Sequence, residues 1–320
     1  ALRPTEERDG ELWLTGRPRR GEDDDEARAL VERCTEIEVD GLRFTLSHLG
    51  RGEAILRISG GADERVTDTD AFFRDRYPVL RPQAVVPDAE RTARAAETWT
   101  RVVRRRLEGE RFDVITLKWW GRPRPAPTFL QRHGVTGGFL AATRFMRGLG
   151  SAVGLEPVYV EETDDPAHDV RRRLRLVAER LERGETFVWS HLKATDEAGH
   201  TKSPEIKRQT IEAVDAGLAE LPTDRAIVCV TGDHATPAFP EVIHSGDPVP
   251  LVVAGPGVRA DGVTSFGELS CAAGILGRLG GPDLIPVLLN AADRPLFLGS
   301  RPTPFAGADG YPAILEPLRP

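Results

Sequence analysis

ETFVWSHLKATDEAGHTKSPEIK, residues 185–207, decides how this chain is read. It opens on a short apolar run, FVWS, bounded by polar residues, which reads as a buried strand. The next ten residues, HLKATDEAGH (191–200), hold two histidines, an aspartate, a glutamate and a lysine. Ser203 and Pro204 then supply an N-cap and a first-turn proline, the start signal of a helix. Strand, ligand-bearing turn, helix is the repeating unit of a parallel α/β sheet, and in such sheets ligands gather outside the carboxyl ends of the strands.

The same rhythm extends on both sides. Strands are expected at GGFLAAT (137–143), PVYVEE (157–162), FVWSHL (187–192), AIVCVTG (226–232) and PLVVAG (250–255). Helices are expected over 143–154, 169–184 and 203–221. Short apolar strands alternating with helices predict a mostly parallel sheet covered on both faces. Upstream, DDEARALVERC (24–34) has helical spacing, FTLSHL and AILRISG read as strands, and residues 87–109 form a long amphipathic helix begun by Pro87 and Asp88. VITLKWW (114–120) reads as a strand, and the Pro/Gly-rich GRPRPAP (121–127) as a hinge. Three parts are therefore expected: a smaller α/β domain over 1–130, a larger core over 131–300 and a Pro-rich tail over 301–320.

Composition narrows the function. The 320 residues are 40% hydrophobic with a net charge of −7, enough apolar material for a packed core. There is no basic stripe interleaved with aromatics, which argues against nucleic acid as a partner. No apolar run reaches the ~18 residues of a membrane span. Cys34, Cys229 and Cys271 are scattered without a CxxC pair, in keeping with a cytoplasmic protein. Only 4 of the 43 basic residues are lysines. The single methionine is Met146, so the chain opens at Ala1 either through removal of an initiator or because an upstream segment is missing.

Asp196 and His200 stand four apart, on one face of a helical turn. Asp233–His234 end the run AIVCVTG, and His244 opens HSGDPVP just ahead of PLVVAG. Each element alone is ordinary turn or helix-surface chemistry. Four of the seven histidines falling between 191 and 244 makes metal binding the stronger account. Mixed imidazole and carboxylate ligands suit Zn²⁺, Mn²⁺ or Fe²⁺ better than Mg²⁺ or Ca²⁺, and five exceed one closed zinc site, so two ions are expected. His191 reads as a core or supporting histidine rather than a ligand. Lys193 is a candidate for holding a phosphate, with a plain surface lysine as the alternative. Glu197 should face away from Asp196, and Asp247 is a turn residue or a partner of His244.

HLKATDEAGHTKSPEIK, VTGDHATP, HSGDPVPLVVAGPGVRADGV and FGELSCAAGILGRLGGPDLIPVLLN resemble the archaeal-type 2,3-bisphosphoglycerate-independent phosphoglycerate mutases, of the alkaline phosphatase superfamily. The likeness is dense over 187–291 and fainter upstream, through EIEVDGL and ERVTDTD. It implies an alkaline-phosphatase-like core, a cap domain over 1–130 and phosphoryl transfer on a small phosphorylated acid with two divalent ions, Mn or Zn. Asp196, His200 and His244 are implied for one ion, Asp233 and His234 for the other. The family's serine nucleophile and an N-terminal aspartate have no counterpart, so the catalytic nucleophile is expected in a separate N-terminal segment or subunit. The cap departs as well. Ala71 and Phe72 stand where the family has proline and histidine, GRPRRGE (16–22) only roughly echoes its substrate arginines, and EETDDP (161–166) replaces a GATG segment. A phosphatase or phosphonate hydrolase, or a non-catalytic metal-binding subunit, is the alternative reading.

Overall fold

The computed structural model describes residues 1–19, 22–50, 52–70, 77–294 and 317–319. Ala71, Phe72 and nearly all of the expected tail lie outside them. The chain divides into two units, Ala1–Arg124 and Pro125–Pro320, a few residues ahead of the boundary expected at 130.

The first unit is built on antiparallel strands. β1 (Leu2–Arg3), β2 (Thr5–Arg8) and β3 (Glu11–Leu14) precede helix α1 (Asp24–Arg33). β4 (Ile37–Val39), β5 (Leu42–Gly50) and β6 (Glu53–Ser59) then form a meander in the order β4-β5-β6. β7 (Tyr77–Pro78) pairs with β3; a single 3₁₀ turn at Pro87–Ala89 leads into α2 (Glu90–Arg106), and β8 (Val114–Ile115) pairs with β1. Only two residues of the expected VITLKWW strand join a ladder. The core follows from period-two burial in β5, where Leu42, Phe44 and Leu46 are buried, meeting the 3.6-period face of α2. Phe44 stacks on Trp99, with ring centroids 5.6 Å apart and planes 16° apart. Gly60 closes the hairpin side of this sheet at φ +99°, where an added Cβ would meet the Gly41 carbonyl at 2.4 Å, so only glycine fits. Trp99 is fully buried, and Trp99→Ala is expected to cost about 3–5 kcal/mol, read as a fall in the urea midpoint of this unit.

In the second unit α3 (Phe129–His133) carries a capping box between Thr128 and Gln131. β9 (Gly137–Ala141), α4 (Arg144–Ala152), β10 (Glu156–Tyr159), α5 (Pro166–Glu182) and β11 (Phe187–Ser190) make a three-stranded parallel sheet in the order β10-β9-β11. Each crossover is a helix, as parallel pairing requires. Gly150 lets α4 lie close on the sheet, since a Cβ there would sit 2.6 Å from that of Phe139. α6 (Ala194–His200) and α7 (Pro204–Gly217) follow, α7 capped by the Ser203 hydroxyl, which accepts from the Ile206 N–H at 3.3 Å. β12 (Val228–Thr231), β13 (Leu251–Ala254), α8 (Glu268–Cys271) and α9 (Leu284–Ala291) complete the unit.

The mostly parallel sheet expected here is realised only in β9–β11. β12 and β13 pair antiparallel, from Val228 opposite Ala254 to Thr231 opposite Leu251. The cause is the connection: residues 232–250 contain no helix to carry the chain back over the sheet. Among the described residues no helix is long and apolar enough to cross a membrane.

Candidate metal centre

Asp196 and His200 come from one turn of α6, where i,i+4 spacing sets both side chains on the same side. His244 arrives from the loop between β12 and β13, which folds back on itself through an isolated bridge between Ala235 and Ser245. The ligand atoms of Asp196, His200 and His244 all lie within 4.8 Å of one another. His200 Nε2 is 3.3 Å from His244 Nε2, and Asp196 Oδ1 is 3.4 Å from the first and 3.6 Å from the second. Ligands held tetrahedrally at the usual Zn–N length sit about 3.3–3.4 Å apart. The triangle therefore fits a single divalent ion.

Electrostatics favour the same use. Burial opposes ionisation of Asp196, but hydrogen bonds from Lys193 and Thr236 outweigh it and lower its pKa to about 2. Desolvation, with His244 nearby, holds His200 below the usual imidazole range; desolvation and His234 do the same for His244. Near pH 7 this offers one carboxylate and two neutral imidazoles, the protonation states that coordinate a cation.

Asp233 and His234 lie beside this triangle and not in it. The His234 ring packs on that of His244, with centroids 4.3 Å apart. Asp233 Oδ2 is 3.8 Å from His234 Nε2 and equally far from His191 Nε2. The facing His191 imidazole is the main cause lowering the Asp233 pKa to about 2. His191 thus serves a carboxylate at the end of the neighbouring strand. Asp247 accepts from the Ser245 hydroxyl at 2.7 Å, a turn contact, and Glu197 is exposed.

The three lysines of 193–207 all work here. Lys193 Nζ meets Asp196 Oδ2 at 2.6 Å. Lys202 donates to the carbonyls of Pro237 and Val242, and Lys207 to that of Thr236 at 2.6 Å, so both pin the 233–244 loop against α6 and α7.

Two contributors carry no sequence signal of their own. Thr236, buried, donates from Oγ1 to Asp196 Oδ1 at 2.7 Å and lies 3.1 Å from His234 Nδ1. Glu162 accepts the Lys193 N–H at the start of α6 at 3.1 Å and is bonded by Arg173 at 3.0 Å. Desolvation raises the Glu162 pKa against the pull of those donors. Thr236→Val keeps the volume and deletes the hydroxyl that aims Asp196. Mn²⁺ affinity is expected to fall about ten- to a hundredfold, with Thr236→Ser restoring it, as titration calorimetry would read.

A family profile described as the Metalloenzyme superfamily matches residues 120–291. The chain is 33% identical over 270 residues to a 2,3-bisphosphoglycerate-independent phosphoglycerate mutase of Methanoculleus marisnigri, covering 79% of this chain and 65% of the relative. It is 32% identical over 282 residues to the mutase of the same description in Methanosphaerula palustris, covering 83% and 68%. A solved protein of Pyrococcus horikoshii shares the fold at a TM-score of 0.69 and 22% identity, over 93% of this chain and 74% of that one. The chain thus spans just under two thirds of the length of the Methanoculleus relative.

Proposed function

Since the chain belongs to the metalloenzyme superfamily and, within it, to the 2,3-bisphosphoglycerate-independent phosphoglycerate mutases, we propose that it serves metal-dependent phosphoryl transfer between hydroxyls of a small phosphorylated acid, phosphoglycerate being the default substrate. The observation that carries this is the Asp196–His200–His244 triangle at the carboxyl-end side of the sheet. We take the second unit as an alkaline-phosphatase-like core and the first as its cap. Asp196, His200 and His244 hold one divalent ion, Mn²⁺ or Zn²⁺; Asp233 and His234 contribute to a second. Such ions, when bound, neutralise the developing charge on phosphoryl oxygens and on the attacking hydroxyl.

The chain's own groups prepare that chemistry. Lys193 and Thr236 keep Asp196 ionised and fix its direction, and burial keeps His200 and His244 neutral. Lys193 is also the candidate to meet the substrate phosphate, as a cation already at the carboxylate's edge. Thr236 is committed to Asp196 and His234, which suits positioning and not attack. We assign the nucleophile to no residue of 1–320.

Hydrolysis is the second reading, and one observation favours it. Arg122 and Arg124, which with Arg144 are candidates to replace the family's substrate clamps from shifted positions, both reach Glu64, at 3.2 and 3.3 Å. Arg19 likewise pairs with Glu22 at 3.0 Å. A mutase must hold the free acid against water, and losing one charge-assisted contact to it costs on the order of 1.5–3 kcal/mol. The deciding experiment uses the protein that contains residues 1–320, loaded with Mn²⁺. Isomerisation of 3-phosphoglycerate is followed through enolase, with phosphate release measured in parallel. Isomerisation in excess is the expected result; phosphate release in excess selects the hydrolase. Either activity persisting unchanged in a His200→Ala, His244→Ala variant would sink the metal assignment.

A further inference from the structure

We propose that Glu162 is a positioning residue for the metal triangle, its carboxylate standing in for the N-cap that α6 lacks and so holding Asp196 and His200 in place. α6 has seven residues and, among the described residues, no side-chain cap. It opens on Lys193, at φ −95° and ψ −14°, whose ammonium has no acceptor to offer a helical N–H. A helix that short has no stability of its own in water. The neighbouring α7 carries the Ser203 cap. Yet it is α6 that supplies two of the three ligands, which must be held within about 0.5 Å of their working geometry.

What fixes α6 comes from 31 residues away. The Lys193 N–H donates to both carboxylate oxygens of Glu162, at 3.1 and 3.2 Å. The Lys193 carbonyl accepts from the Asp196 and Glu197 N–H groups at 3.0 and 3.1 Å, and its Nζ reaches Asp196 Oδ2. One residue thus joins Glu162 to the start of the helix and to a ligand. Glu162 itself stands on a fixed base. Arg173 of α5, 3% exposed, donates to Glu162 Oε1 at 3.0 Å and to the Val160 carbonyl at 3.3 Å. Thr163 gives its N–H and its hydroxyl to Asp169, at 2.7 and 3.1 Å, and Asp169 is fully buried. The loop after β10 is therefore locked onto α5, and its glutamate passes that position on to α6.

The device belongs to this chain. Glu162 lies in EETDDP (161–166), the stretch that departs from the family's GATG, a segment with no carboxylate to offer. Two properties of Glu162 could matter, its charge beside Arg173 or its reach to the Lys193 N–H. Reach is the one the role requires. A single acceptor oxygen serves both donors here, since Oε1 takes the Arg173 and the Lys193 bonds together. An amide of the same length can do the same, whereas a shorter carboxylate cannot span the gap.

This role presupposes that the triangle holds a cation, so two readouts on the full chain are paired. Mn²⁺ calorimetry compares Glu162→Gln with Glu162→Asp. The Gln variant should bind within about threefold of the unaltered chain, and the Asp variant about ten- to a hundredfold more weakly. The reverse order gives the effect to the charge beside Arg173 and overturns the assignment, as do equal affinities or equal losses in the two variants. Amide hydrogen exchange is then followed in the metal-free chain. The last amides of α6, Ala198 to His200, should exchange about tenfold faster or more in the Asp variant only, with α7 unchanged. Unchanged exchange in α6, or faster exchange spread over α7 as well, overturns the role. With no metal present, this second result decides the role of Glu162 even if the unaltered chain binds no Mn²⁺, a failure that would count against the triangle instead.

Discussion

Replacing His200 and His244 together by alanine is expected to abolish Mn²⁺ and Zn²⁺ binding at the triangle. A four-ligand zinc site is worth roughly 10–16 kcal/mol, so each ligand carries about 3 kcal/mol and losing two costs about 6 kcal/mol, on the order of ten-thousandfold in affinity. The lone Asp196 that remains is tied to Lys193 and Thr236 and has no reason to hold a cation in their place. Both imidazoles are about 40% exposed, so their removal opens no core cavity and the fold should survive. Binding is measured by calorimetry and by the metal-dependent rise in Tm, which for the unaltered chain at a hundredfold excess over Kd should correspond to about 2.7 kcal/mol. Unchanged binding in the double variant would refute the site. Single variants should fall between, without adding simply, because the two rings share one contact.

A polypeptide of residues 1–320 alone is expected to bind metal and to turn over no 3-phosphoglycerate. The covalent route needs a positioned hydroxyl, and on the proposed reading that hydroxyl is assigned to no serine or threonine of these residues. Removing a nucleophile from such a site costs nearly all of the rate, because the remaining groups act only in concert with it. An enolase-coupled assay with Mn²⁺ reads the result. Robust turnover would place the nucleophile inside these residues and would direct attention to Thr236, the hydroxyl already in contact with Asp196 and His234.

How much of this was legible in the sequence depends on the distance over which each fact is written. Asp196 and His200 could be paired because helical periodicity acts over one turn, and α6 supplies that turn. His244 could be added from its place ahead of a strand, since strand-end loops of an α/β unit converge. Thr236 could not, because its role exists only once the loop folds back over α6, 40 residues away in sequence. Glu162 is similar: it serves the Lys193 N–H across 31 residues, and the second glutamate of a strand-end pair carries no mark of that. The antiparallel turn of β13 was missed for another reason. Apolar runs announce strands and not their direction, and the available clue was the missing helical pattern between 232 and 250.

The lysine clamp has a practical side. This chain has arginine nearly everywhere a cation is needed, and three of its four lysines bond either Asp196 or the loop that brings in His244. A reagent selective for side-chain amines is therefore almost a site-directed one. Mild acetylation would report on the closure of this corner with little background, Lys118 being the one lysine elsewhere. Mass spectrometry of four positions would give a footprint that ordinary proteins, with lysines spread over their whole surface, do not allow.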